Sequence, residues 1–251
     1  MKITKEIFLS FLVCPYKAYL LLNGESGNKS EYEALFKEIK EKYCVDGIKK
    51  FSVKQAPVEM IRDANLKDKN GVVYQPRIGH QDVYSDSCII ERVRGGSEFG
   101  TFHYVPIIFT PKEKFSQEDR FEIAYDGFIL ETLQSRRPEY GKVFCGDSFK
   151  ITKLRIGSQI EKVKNIVAKI KKINFDSPPK IILNRHCQVC EFKDSCRMQS
   201  VEKDDLSLLA GIGSKEIETQ NKKGIFTLTQ YSYTFRPRKK FKKSYPFNLF
   251  G

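Results

Sequence analysis

Between positions 186 and 196 the chain reads His-Cys-Gln-Val-Cys-Glu-Phe-Lys-Asp-Ser-Cys, a C-x2-C-x5-C run made by Cys187, Cys190 and Cys196. No other stretch restricts the fold so strongly. A short loop that turns three thiols inward can wrap one metal centre, and three thiolates leave a tetrahedral or cubane site one ligand short. Cys14 is the best fourth ligand. It stands in a Cys-Pro step, where a helix must bend or end and a side chain can project from the terminus. Cys44, Cys88 and Cys145 fall in helix or strand patterns and read as ordinary thiols of the interior. Ligation from Cys14 to Cys187 closes a loop of more than 170 residues. The chain-entropy estimate for such a closure is about 4–5 kcal/mol, so loss of metal is expected to loosen the whole domain.

Two metals suit such a set. Zinc knuckles use two close ligand pairs, and His186 offers a nitrogen for one. Three near thiols with one distant partner suit a [4Fe-4S] cluster better, so that cluster is the expected cofactor and a zinc-stabilised scaffold the alternative. The apolar stretch from Ile7 to Val13 continues into Cys-Pro-Tyr-Lys without a small-residue cleavage site, and is not read as a secretory signal. No apolar run approaches the roughly 20 residues of a membrane span. The expected setting is the reducing cytoplasm, where seven cysteines serve as metal ligands or free thiols rather than disulfides. A net charge of +13 draws the chain toward polyanions, nucleic acid first and an anionic membrane surface second.

Hydrophobic periodicity predicts the remaining elements. Thr4 caps a helix over residues 5–22, interrupted at Pro15. A second helix covers 31–42, with Tyr32, Leu35, Phe36 and Ile39 on one side. Short strands are predicted at 51–53, 72–75, 87–93 and 101–109, separated by turn signals at Lys69-Asn70-Gly71 and Gly95-Gly96. Residues 117–135 form a strong helix, 142–145 and 149–154 two more strands, and 158–173 a helix with a basic outer face. This order predicts an α/β core with a mixed sheet flanked by helices. The predicted boundaries are 1–200 for that domain, 204–230 for a small helical hairpin, and 231–251 for a basic, disordered tail.

The Cys-Pro step in the first helix, followed far away by C-x2-C-x5-C, resembles the iron–sulfur RecB-like nucleases, which include the Cas4 and AddB groups. It is most similar to a RecB-like nuclease family named for a Thermotoga protein. The matching stretches are Phe8 to Leu20, Ser85-Asp86, Cys187 to Cys196 and Asp205 to Leu209. The resemblance implies a PD-(D/E)XK nuclease core, which cuts DNA with Mg²⁺ or Mn²⁺ held by an acid at one strand end and a second acid on the next strand. A lysine two residues after the second acid then helps to activate water. Asp86 stands where the first acid belongs. The next strand, Tyr104-Val105-Pro106-Ile107-Ile108-Phe109, carries neither acid nor lysine. Glu113 and Lys114 follow it, adjacent rather than spaced by one, and Glu122 and Asp126 fall where the family has a Gln-x-x-x-Tyr motif. The catalytic set is therefore expected to be degenerate, with Glu113, Glu122 and Asp126 as the material for a displaced acidic site.

Residues 208–215 read Leu-Leu-Ala-Gly-Ile-Gly-Ser-Lys, a helix-hairpin-helix pattern. Gly211 and Gly213 let the backbone turn tightly and approach a phosphate, and Lys215 adds charge at the start of the next helix. Arg236 and Arg238 open a run of six cations in eight residues, which binds phosphates or is simply solvated. The expected partner is DNA, gripped without reading bases. In the resembling family the chain continues into further catalytic domains. That implies a helicase or RNase H-like partner or a missing downstream domain, and a chain that is a truncated or split product. Two functions stay open: a metal-dependent DNA nuclease, and a catalytically inactive DNA-binding module of the same fold.

Overall fold

The computed structural model describes residues 1–54, 58–60, 66, 71–74, 77–85, 89–173 and 176–234, with backbone alone at 51–54, 58–60 and 73–74. The described chain divides into two units, Met1–Ile181 with His186–Phe192, and Ile182–Arg185 with the residues from Lys193 onward.

The first unit is a mixed α/β structure. Strand β1 (Ile3–Thr4) leads into α1 (Lys5–Val13), where the Thr4 hydroxyl accepts from the Ile7 N–H at 3.3 Å. Cys14 leaves the helical conformation at φ −154° and ψ 108°, and α2 (Pro15–Leu22) starts at once. Proline at the first helical position has no N–H to leave unpaired, so the predicted break becomes a clean restart. Helix α3 (Glu31–Lys54) follows.

Then come β2 (Val58–Met60), β3 (Val72–Tyr74), β4 (Ile78–His80), β5 (Val83–Ser85), β6 (Ile89–Ser97) and β7 (Gly100–Thr110). Helix α4 (Gln117–Gln134), strands β8 (Tyr140–Cys145) and β9 (Lys150–Arg155), and α5 (Gly157–Lys171) complete the unit. The main sheet has the order β2-β3-β6-β7-β8-β9, and β1-β5-β4 form a smaller one. Strands β6 and β7 form an antiparallel hairpin, α4 crosses over, and β8 returns parallel to β7 with Ile107 opposite Lys142.

Strand β7 is buried on both faces. Phe102, Tyr104 and Ile108 point to a core shared with Ile123, Tyr125, Ile129 and Leu130 of α4 and with Ile160, Val163 and Ile170 of α5. Ile107 and Phe109 point to a second core with Ile89, Phe144 and the α3 residues Tyr43, Cys44 and Ile48. Each such side chain removed from water contributes about 1.5–3 kcal/mol.

The structure revises the reading of α3. It runs through 51–53, where a short strand is predicted, and Tyr32, Leu35, Phe36 and Ile39 are exposed. The helix docks by its second half instead. Gly47 has no side chain there because a Cβ would come within 2.2 Å of the Phe109 ring. That close approach, a tertiary fact, keeps a glycine inside a helix despite its poor propensity.

Gln134 closes a gap in the sheet. The register of β8 on β7 covers Ile107 to Thr110, so Tyr104 turns its outer backbone edge toward the end of α4. The Gln134 amide takes the place of a strand there, accepting from the Tyr104 N–H at 2.8 Å and donating to its carbonyl at 3.2 Å. Gln134 is fully buried, and Gln134→Leu leaves both backbone groups without a partner. The expected loss is on the order of 2 kcal/mol, read as a lower urea midpoint. An unchanged midpoint would count against this role.

The second unit contains α6 (Lys193–Glu202), a 3-10 turn at Leu206–Leu208, α7 (Ser214–Lys222) and α8 (Leu228–Ser232). Leu206 and Ile217 are its buried apolar centre. Asp205 and Thr227 form a bridge, and the Asp204 carbonyl accepts from the Leu228 N–H at 2.8 Å. Gly211 at φ +86° and Gly224 at φ +80° hold left-handed positions that bracket α7. No helix among the described residues is long and apolar enough to cross a membrane.

Candidate cysteine centre and carboxylate cleft

Cys14 caps α2: its sulfur accepts the Lys17 N–H at 3.4 Å. In the first unit Cys187 lies on a 3-10 turn (Arg185–Gln188) and Cys190 follows it, its N–H donating to the His186 carbonyl at 3.1 Å. Cys14 is far in sequence from Cys187 and Cys190 yet lies within their electrostatic reach. Burial pushes the Cys190 thiol up, the Phe192 amide and Lys17 pull it down, and Cys187 and Cys14 push it up again, for a net rise. Burial likewise raises Cys14, against hydrogen bonds from the Lys17 and Tyr16 amides. Cys196 is buried on α6 of the second unit.

Among the described residues no three His, Cys, Asp or Glu side chains are posed as a ready-formed metal site. The donor set still suits a thiolate-bound metal in kind: three half-buried or buried thiols, amide donors at a helix start, and a cation beside them. Metal binding to such thiols displaces their protons, and a metal is what draws such ligands to bonding distance.

That cation is Lys17, which sequence reasoning passed over. Its side chain is almost buried and its Nζ lies 3.5 Å from Glu33 and 3.3 Å from Glu191. Burial alone pulls the ammonium down, but Cys190, Glu33 and Glu191 outweigh it and hold it above its usual range. His186, the alternative zinc ligand, sits 3.9 Å from Glu33. Burial and Lys17 lower it, against Glu33, Glu118 and Glu191.

The second candidate site is a cavity of about 430 Å³ between α3, the sheet and α4. Lys40, Cys44, Ile89, Ile107, Phe109 and Glu122 are among its lining residues. Glu122 and Asp126 stand one turn apart on α4, and each already has a cation. Lys40 reaches Glu122 at 2.6 Å and Lys5 reaches Asp126 at 2.8 Å. Asp126 is wholly buried. Burial raises its carboxyl, Lys5 and Ser85 pull it down, Glu122 pushes it up, and the net shift is upward. Cys44, beside Lys40 and Glu122, is pushed by burial up to about 11.

Asp86 lies outside the described residues, as do Cys88, Arg236 and Arg238. Ser85 acts on Asp126, and Ile89 lines the cavity. Glu113 and Lys114 are both exposed. Glu113 packs against Gly146, where a Cβ would come within 2.8 Å of its carboxylate, and acts on Tyr43 and Cys145. Its company is therefore different from that of Glu122 and Asp126. Gly211, Gly213 and Lys215 are exposed around the start of α7, with open space beside both glycines. No family model matches the chain, and no curated protein is significantly similar to it.

The carboxylate cluster yields a signed pH prediction. An acid raised on folding carries no penalty below its ordinary value of 3.8, and the penalty grows as pH rises above it. Lys5→Ala leaves Asp126 buried without its ammonium, which is expected to cost about 3–5 kcal/mol near neutral pH. Most of that loss should vanish toward about pH 4, where Asp126 takes a proton. Denaturation curves at both pH values check it, and an equal deficit at both would rule out the charge account.

Proposed function

We propose that this chain is a DNA-binding module of the RecB-like, PD-(D/E)XK nuclease type, held together by a [4Fe-4S] cluster on Cys14, Cys187, Cys190 and Cys196. The observation that carries the reading is that Lys17 joins both ends of the cysteine pattern, its N–H donating to the Cys14 sulfur at 3.4 Å and its ammonium lying 3.3 Å from Glu191, the residue after Cys190. Cys196, six residues beyond Cys190 in sequence, is the fourth thiolate the spacing supplies. The β6–β7 hairpin with its α4 crossover to a parallel β8 supports the nuclease-like core. When bound, the cluster supplies a covalent clasp and one-electron chemistry.

Binding is favoured over cutting by the state of the carboxylates. Glu122 and Asp126 are already held by Lys40 and Lys5, and a carboxylate that bonds an ammonium is a poor ligand for Mg²⁺. DNA contact is assigned to the glycine turn before α7, where Gly213, Ser214 and Lys215 are exposed, and to Lys215, Arg236 and Arg238. Such contacts hold phosphates, tolerate any sequence and weaken with salt.

Anaerobically purified protein is expected to carry iron and acid-labile sulfide in the proportions of one [4Fe-4S] per chain, with broad visible absorbance. Cys187→Ser should lose both. Zinc in place of iron would replace the cluster with the scaffold reading. DNA affinity should fall steeply with salt, and Lys215→Ala should reduce the slope of log K against log salt by about 1. With Mg²⁺ or Mn²⁺, cleavage by the wild type that disappears in Asp86→Ala would restore the enzyme reading.

A further inference from the structure

The geometry points to Lys17 as a built-in counter-cation of the cysteine centre, a positioning residue that makes the bound cluster easier to reduce. This inference rests on the cluster reading above and adds a residue that the cysteine pattern does not contain. Three features of Lys17 support it. Its own backbone N–H is the donor to the Cys14 sulfur, at 3.4 Å, so the residue is tied to one thiol by its main chain. Its side chain, almost buried, reaches back to Glu191, the residue immediately after Cys190, at 3.3 Å. Glu33 of α3 holds the ammonium from the other side at 3.5 Å.

The ammonium is thus fixed between α2, α3 and the cysteine turn. Its main chain is bonded to the Cys14 sulfur and its ammonium to the residue that follows Cys190, so Lys17 touches both ends of the cysteine pattern.

A [4Fe-4S] centre with four thiolates is an anion that gains one further negative charge when an electron enters. A fixed cation nearby favours the more negative, reduced state. A partly buried position strengthens this, because salt screens it less than it would an exposed lysine. Glu33 and Glu191 oppose the effect by sharing the ammonium, yet they also hold it in place. Removing the charge while keeping a polar side chain therefore has a defined sign. The reduced state loses stabilisation and the potential falls.

The test is a redox titration of the full chain, reconstituted anaerobically, followed by visible absorbance and by electron paramagnetic resonance of the reduced cluster. Iron and sulfide are measured first in every sample. Lys17→Gln is expected to lower the reduced-to-oxidised ratio at a fixed poise about tenfold, a shift of about 59 mV for a one-electron couple. Lys17→Arg is expected to restore most of it. Equal potentials in the wild type and Lys17→Gln, both fully loaded with iron, would overturn the role of Lys17 and leave the cluster itself standing. A wild type that takes up no iron or sulfide would overturn the cluster reading and this inference with it. If Lys17→Gln alone does not fold, Lys17→Gln with Glu191→Gln removes both buried charges together. Its potential is then compared with that of Glu191→Gln, and the same downward shift is expected.

Discussion

The ion pair between Lys5 and Asp126 fixes where the first helix can go. It joins the first turn of α1 to the middle of α4 across 121 positions of sequence, at 2.8 Å and almost out of water. Tyr125, the neighbour of Asp126, adds a second tie. Its hydroxyl donates to the Ile3 carbonyl at 2.8 Å and lies 3.1 Å from the Tyr84 carbonyl. One turn of α4 thereby holds β1 and β5 of the small sheet. Phe8 packs on the Tyr125 ring at 4.7 Å, so α1 has little freedom to rotate. Everything downstream of α1, including the Cys-Pro step and α2, inherits that placement.

The same economy of charge recurs through the first unit. Lys5, Lys17 and Lys40 come from three different helices, and each bonds a carboxylate from a distant segment. Moving an ammonium and a carboxylate out of water is costly, and their attraction recovers the cost only with good geometry. Such pairs are therefore weak sources of net stability but strict conditions on assembly, because one partner without the other is a large penalty. They also set the charge balance of the cleft. Here the acids that reach the cavity come with lysines of their own.

Much of the sheet and its helices was legible in the sequence because burial writes a period into it. Strand β7 reads as a continuous apolar run, since both of its faces are covered. Helix α4 carries its capping box at Ser116 and Asp119 together with its inward stripe. The failures have physical causes. Helix α3 was cut short because its exposed half carries the better apolar pattern, whereas its docked half depends on Gly47 fitting against Phe109. Strands β1, β4 and β5 are two or three residues long and exist only through pairing with distant segments, which no local window records. The cysteines were visible as a spacing. Lys5, Lys17 and Lys40 were not, because a lysine in a helical pattern looks solvated until its carboxylate is known.

The Cys-Pro step carries more than a ligand position. A proline inside a continuous helix would remove one hydrogen bond and clash with the preceding turn. The chain avoids both by letting Cys14 leave the helix and cap the next one. That exchange turns the sulfur into a helix cap, at the end of the helix where the dipole favours negative charge. It also places the amide of residue 17 against that sulfur. A hydrogen-bonded sulfur and a cation three residues later therefore arise from one two-residue step. Replacing Pro15 by a good helix former would let α1 run on through position 14. The thiol would then turn into a helix side chain, and the lysine would lose its amide contact to sulfur at the same stroke. The restart of the helix at Pro15 is thus the local constraint on which thiol, amide and ammonium together depend.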